Sequence, residues 1–381
     1  MTIFEQQKPG STVLLFSAAV GGGHLAAAQT VERLANEEGH QAVIVDGLNG
    51  MSCRLSRWVI GIYHWILAHT PWIYRFLFWI FSLGVFTMVL RWTLGRLWGR
   101  RLLETIEVFE ADAIVSTYPL VTAALGYLVS HNRLNKPVIA VVSDYGVHPM
   151  WVSPPIDLHL VVSDASRRLV EAHGGRARTV RLPVGDEFRA PLSREAARAK
   201  LGLPRDAFIP LIVGGAWGVG NLEGAAEIAI EAGAYPVIVT GRNAHLKADL
   251  DAQFPDPERA RIIGWTGEMA ALMKAADCLI QNAGGVTCLE ANEARLPVVI
   301  YQPIPGHGLL NASLMEESGA AYWPRNEAEL RGLLTLAAAG IAPLAPPRQE
   351  GVELRAALVF DPPGGLLPLP PGRMTELRWP A

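Results

Sequence analysis

From Gln281 to Asn311 the chain reads QNAGGVTCLEANEARLPVVIYQPIPGHGLLN. An apolar run, Cys278 to Ile280, stops at Asn282-Ala283-Gly284-Gly285. A helix carrying Glu290 is expected from about Thr287, and a strand from Pro297 to Tyr301. Strand, glycine turn, helix and strand in this order form the unit of a parallel sheet covered by helices. Glycines let backbone approach a phosphate closely, the unpaired N–H groups of a first helical turn point at it, and the helix dipole favours its charge. A carboxylate one turn in can accept hydrogen bonds from ribose hydroxyls. By itself such a turn fits an anion cradle and a plain tight turn equally.

Working outward, the same alternation recurs on both sides. Upstream lie Pro210 to Val213, helix Leu222 to Ala232, Pro236 to Thr240, helix Ala244 to Gln253, Arg261 to Ile263 and helix Met269 to Ala275. The first half alternates likewise: Val13 to Ser17, a helix from His24 to Glu38, Gln41 to Asp46, then Ala113 to Ser116, Val138 to Ser143, His159 to Ser163 and Thr179 to Leu182. The fold class is therefore α/β, with two Rossmann-like domains, residues 1–190 and 205–340, joined by a polar connection from Pro183 to Pro204. Ligands of such sheets bind beyond the carboxyl ends of the strands. GGGH (Gly21 to His24) and Asp144 both fall on that edge. Nine of the 27 prolines lie in residues 341–381, which predicts a loosely ordered tail.

At 381 residues, half of them hydrophobic, the chain can fill two cores, and a net charge of -3 argues against a nucleic-acid partner. Cys53, Cys278 and Cys288 match neither a zinc spacing nor a disulfide framework, which favours a reducing compartment. Glu5 precedes any apolar run and Val13 to Val20 ends in glycines, so no secretory leader is expected.

The charge is uneven. Residues 47–103 hold no acidic residue, seven arginines, Arg75 and Arg91 among them, and six of the eleven tryptophans. Trp58, Trp65, Trp72 and Trp79 recur every seven residues, nearly one helical face, although Pro71 argues for two helices rather than one. Such helices lie at the headgroup boundary of an anionic membrane surface, rings inward and guanidinium groups toward lipid, each basic residue contributing about 1 kcal/mol. Core packing would produce the same stripe. Phe76 to Leu90, fifteen residues without charge, is shorter than the ~20 a span needs.

His24, at a helix start on the active edge, is the expected general base, since the dipole keeps its imidazole neutral; a capping or core histidine is the alternative. Asp144 is the rival base or the group that orients His24. No Asp-x-Asp motif falls at a strand end, so no metal is expected.

Several motifs in this order make the chain similar to the diacylglycerol glycosyltransferases of family 28. They are GGGH, STYPL (Ser116 to Leu120), VSDYGVHPMW (Val142 to Trp151), LPVGDEF (Leu182 to Phe188), GGAWGVGN (Gly214 to Asn221), TGRN (Thr240 to Asn243) and the 281–311 segment. The resemblance implies the GT-B plan, two domains facing across a cleft, and a UDP-sugar as donor. It puts Gly284, Gly285 and Thr287 at the pyrophosphate, Glu290 at the ribose and Trp265 with Thr266 at the uracil. Gly214, Gly215 and Gly218 face the cleft, His307 and Asn311 lie on the donor side, and Gly22, Gly23 and His148 lie on the acceptor side. Two departures stand out: Asn282 where relatives carry lysine, and His307-Gly308 where they carry Gln-Glu. The implied activity is an inverting hexosyltransferase making a glycolipid on diacylglycerol at the cytoplasmic membrane face. A polyprenyl-linked acceptor and a non-catalytic nucleotide-sugar sensor are the alternatives.

Overall fold

The computed structural model describes residues 10–18, 23–50, 61, 70–182, 184–348 and 350–354. Gly22, Trp58, Trp65, Cys53 and the tail beyond residue 354 lie outside them.

The first domain is a seven-stranded parallel sheet in the order β12-β6-β5-β4-β3-β1-β2. Its strands are β1 (Thr12–Ser17), β2 (Gln41–Asp46), β3 (Ala113–Ser116), β4 (Val138–Val141), β5 (Leu158–Val161), β6 (Ala177–Arg181) and β12 (Val352–Glu353). The second is a five-stranded parallel sheet, β11-β10-β7-β8-β9, formed by β7 (Pro210–Val213), β8 (Val237–Val239), β9 (Arg261–Ile263), β10 (Cys278–Gln281) and β11 (Val298–Ile300). Central strands such as β3, β4, β7 and β10 are buried along their whole length, as a sheet covered on both faces requires. The expectation of two parallel α/β domains is met.

Helices fill the crossovers. In α1 (Gly23–Glu37) the buried Ala28, Val31 and Ala35 recur at helical spacing and face the sheet. Then follow α2 (Pro71–Ser82), α3 (Gly84–Val108), α4 (Pro119–Ser130) and α5 (Asp164–Ala172). The second domain contributes α6 (Arg194–Leu201), α7 (Leu222–Glu231), α8 (Ala244–Gln253), α9 (Met269–Ala275), α10 (Gly285–Glu293), α11 (His307–Glu317) and α12 (Glu327–Ala338). Helix α6, expected within the connection, belongs to the second domain. Its buried Arg198 donates to Asp277 Oδ2 (2.8 Å) and to the Ala275 carbonyl (2.9 Å), while Asp277 also accepts from the Ile209 N–H (2.6 Å).

Three expectations are corrected. The tail is ordered where it begins: after α12 the chain returns to the first domain, and β12 pairs with β6, Val352 opposite Val180 and Glu353 opposite Arg181. Glu350 accepts from the Asp164 N–H (2.7 Å) and Leu354 is buried, so the first domain includes residues from both ends of the described chain. Helix α10 begins at Gly285, two residues before the expected start.

The third correction concerns the described part of the Arg/Trp segment, which divides in two. Helices α2 and α3 meet at Leu83 with a bend of 90°, and no single helix among the described residues is long and apolar enough to cross a membrane. From Leu94 onward α3 is core: Leu94, Trp98, Leu102 and Ile106 are buried, and Gly95 and Gly99 lie against Tyr127 and Leu128 of α4. Before that point one apolar face is turned outward, with Trp72 69 % and Trp79 52 % exposed and Phe76, Val85, Phe86, Met88 and Trp92 exposed beside them. Arg75 shares this surface, and Arg96 stacks over Trp92 at 5.3 Å. Arg91 does not. Its guanidinium donates to the carbonyls of Pro149 (3.0 Å) and Val152, so it holds the loop after β4 rather than lipid.

Candidate active site

The carboxyl edges of the two sheets converge on a cleft, and β1, β4 and β10 each deliver a turn to it. His24 occupies the first turn of α1. The ring meets Tyr118 edge-on with centroids 5.1 Å apart and lies 5.8 Å from Trp151, while the Thr117 hydroxyl donates to the His24 carbonyl (2.9 Å) and anchors the turn. Burial lowers its pKa, against the opposing charge of Asp144 and the Thr117 carbonyl, so the ring is neutral and able to take a proton. Nδ1 is buried with no hydrogen-bond partner among the described residues. A buried polar nitrogen without a partner is costly, which marks it as a position for a ligand hydroxyl.

Across the cleft, β10 ends in the glycine turn. Gly284 N–H donates to Gln281 Oε1 (2.6 Å), and the first hydrogen bond closing α10 is Cys288 N–H to the Gly284 carbonyl (3.4 Å). The N–H groups of Gly285, Val286 and Thr287 therefore head the helix, as at any helix start. Ala283 adopts φ +70, a left-handed conformation uncommon for a residue with a Cβ. The glycine at 285 is required by the opposing domain, because a Cβ there would lie 2.5 Å from Asp144 Oδ1 and 2.8 Å from the Ser143 carbonyl.

Asn311, in α11, is completely buried and joins the two sides. Its Oδ1 accepts from Gly146 N–H (2.6 Å), and its Nδ2 donates to the Ala283 carbonyl (2.9 Å) and Asp144 Oδ1 (3.3 Å). Its polar atoms are thus spent on protein, so the residue expected at the donor acts as a clasp between the donor turn and the Asp144 loop. His307 heads α11. Burial lowers its pKa, opposed by the charge of Asp144, and its Nδ1 lies 2.9 Å from Tyr74 OH on α2. His148 is buried and engaged at both nitrogens: Nδ1 accepts from Met150 N–H (3.1 Å), while Nε2 faces the Phe78 carbonyl and Ser82 Oγ, both at 3.0 Å. Expected on the acceptor side, it fastens α2 to the loop after β4.

The second-domain glycines divide by role. Gly214 and Gly218 are filled by the protein's own backbone, a Cβ meeting Gly218 Cα at 2.8 Å and the Thr240 carbonyl at 2.5 Å respectively. Gly215 (φ +67) faces open space and is the one a ligand can approach. Asn282 donates from Nδ2 to the Val219 carbonyl (2.7 Å), tying this loop to the donor turn where a lysine would have brought charge. Trp265 is 61 % exposed beside the partly buried Thr266, and the Arg242 guanidinium stacks 4.3 Å over its ring, a pattern suited to a planar ligand. On α10, Glu290 has its pKa pushed up to about 7, first by burial and then by the neighbouring Glu187. Gly23, beside His24, faces Val286 of α10. The sequence reading missed Tyr74, Trp151 and the Asn282 tie. Only Trp151 left a signal, lying at the end of VSDYGVHPMW.

Glu290 makes the site sensitive to pH. Its folded pKa lies above the ordinary glutamate value, so the folded state holds an extra proton between that value and about 7. Stability should therefore fall as pH rises through this window, and Glu290→Gln should flatten the decline. Thermal unfolding at stepped pH checks it; a Gln variant with the wild-type slope would refute the assignment.

The GT-B fold is what this architecture defines: MurG of Acinetobacter baumannii superposes with a TM-score of 0.52 at 16 % identity, covering 86 % of this chain and 90 % of its own. UGT2 of Phytolacca americana, solved with UDP-2-fluoro-glucose and pterostilbene, gives 0.55 at 10 % identity over 87 % and 91 %. In sequence the chain is similar to the diacylglycerol glycosyltransferases of family 28. Residues 24–182 match the monogalactosyldiacylglycerol (MGDG) synthase family. The processive diacylglycerol beta-glucosyltransferases of Bacillus cereus and Bacillus pumilus are each 28 % identical, the first over 84 % of this chain and 83 % of its own, the second over 81 % and 82 %.

Proposed function

We propose that this protein transfers a hexose, with inversion, from a UDP-sugar to the hydroxyl of a diacylglycerol-type lipid, working as a peripheral protein on the cytoplasmic face of an anionic membrane. The observation that supports this reading is that one helix has both a face on the cleft and an exposed apolar face. Tyr74 and Phe78 of α2 border Gly306 and His307 in the cleft, while Trp72, Phe76 and Trp79 of the same helix are exposed. An acceptor hydroxyl arriving from that apolar surface is brought toward His24.

The chemistry follows from the residues. His24 takes the hydroxyl proton as the acceptor oxygen attacks the anomeric carbon, and the bond to the diphosphate oxygen breaks on the opposite side. Negative charge growing on the diphosphate is met by the N–H groups heading α10, a task that needs no metal. Trp265 and Arg242 suit the base and Glu290 the ribose.

The test is incubation with diacylglycerol in mixed micelles containing anionic lipid, with UDP-glucose, UDP-galactose and UDP-N-acetylglucosamine supplied separately and the lipid extract analysed by mass. A hexosyl-diacylglycerol is expected with one donor; no product with any of them would refute the reading. Replacing Trp72 and Trp79 together by Ala should weaken binding to anionic vesicles by about thirty-fold or more, the equivalent of roughly 2 kcal/mol of lost apolar burial. Wild-type partitioning in a flotation assay would remove these helices from the membrane contact.

A further inference from the structure

We propose that Tyr74 is a positioning residue that couples membrane seating of α2 to occupancy of the nucleotide half of the cleft; this rests on the function proposed above. Helix α2 is held from both domains. On the first-domain side, His148 contacts the Phe78 carbonyl and Ser82 Oγ, and its ring lies 4.2 Å from that of Phe78. On the second-domain side, Tyr74 OH meets His307 Nδ1 at 2.9 Å, with the rings edge-on at 5.7 Å. Gly306 (φ +84) makes room for this contact, since a Cβ there would lie 3.0 Å from the Tyr74 ring and 3.2 Å from Phe78.

The twelve residues of α2 form a helix too short to be firm in water by itself, and its outward face has Trp72, Phe76 and Trp79 exposed. Lipid supplies that face with a partner and keeps the helix formed, with Tyr74 presented to His307. His148 keeps α2 with the first domain, so separating the domains breaks the Tyr74–His307 contact. Asp144, held by Asn311, stands beside the start of α10, so in this arrangement the first domain lies against the helix that heads the nucleotide half of the cleft. Lipid on α2 and a nucleotide on α10 thus favour the same arrangement, and linkage makes the coupling reciprocal.

The experiment measures UDP affinity by calorimetry with and without vesicles of equal parts phosphatidylcholine and phosphatidylglycerol, and vesicle affinity with and without UDP. Wild type should bind UDP about five- to tenfold more tightly on vesicles, and vesicles more tightly by the same factor with UDP. In Tyr74→Phe, which keeps the ring and removes one hydroxyl, that factor should fall toward one while vesicle binding persists. His307→Ala should lose the same factor, and the double variant no more than either single one. A coupling factor retained in Tyr74→Phe, or additive losses in the double variant, would overturn the inference. Vesicles and UDP binding independently to wild type would overturn it and leave the proposed function standing. Absence of either binding event would overturn the proposed function and this inference with it.

Discussion

Replacing His24 by Ala should lower turnover by a factor of about 10²–10⁴, the usual contribution of a positioned general base, while UDP affinity stays near wild type. The separation follows from location: His24 belongs to α1 in the first domain, whereas the groups suited to the nucleotide, the head of α10, Glu290 and Trp265, belong to the second. The ring is held by Tyr118 and Trp151, and burial keeps it neutral. Product formation at saturating donor, with UDP titrated by calorimetry, measures both quantities. Turnover retained in His24→Ala but lost in Asp144→Asn would transfer the base role to Asp144. Loss of UDP affinity in step with turnover would mean that His24 serves the donor instead.

The second large effect is expected at Asn311. Truncation to Ala removes three hydrogen bonds and strands the Gly146 N–H and the Ala283 carbonyl in a completely buried position. The cost should be roughly 2–4 kcal/mol. For a domain of this size that corresponds to a fall in unfolding temperature of about 5–12 °C. Turnover should fall as well, because the same side chain holds Asp144 against the donor turn. Unfolding midpoint and turnover measured on one preparation test it; a variant with wild-type values for both would show that Asn311 is not the clasp.

Most of the fold was legible because parallel strands buried on both faces announce themselves as unbroken apolar runs. Ala113–Ser116 and Pro210–Val213, buried throughout, match their expected limits, and so do the half-buried edge strands Gln41–Asp46 and Arg261–Ile263. Strand β12 was not legible: two exposed residues, Val352 and Glu353, have no pattern of their own and form a strand only because β6 offers an open edge. In the cleft, sequence could place His24, Asp144 and the glycine turn on the active edge, since topology decides which loops lie there. It could not assign hydrogen bonds between residues 233 positions apart, as Tyr74 and His307 are, nor foresee that Asn311 would be consumed by the protein. Arg91 misled because an arginine among tryptophans reads as a lipid contact, whereas the carbonyls of Pro149 and Val152 take its guanidinium.

The return of the chain to β6 has a mechanical consequence. Both crossings between the domains run beside this strand: the first leaves from its end, and the second comes back along its flank at Gly351, where a Cβ would lie 2.9 Å from the Thr179 and Val180 backbone. Two ties along one line leave a single free rotation about it. Strand β1, which precedes His24 and its helix α1, is four strand spacings away, a lever arm of about 19 Å. A turn of roughly 10° about β6 would swing the imidazole by about 3 Å, the difference between touching an acceptor hydroxyl and missing it. The amide of Asn311 grips the loop after β4, two strand spacings from β6, and so resists that turn with a torque that a bond on the axis itself could not supply.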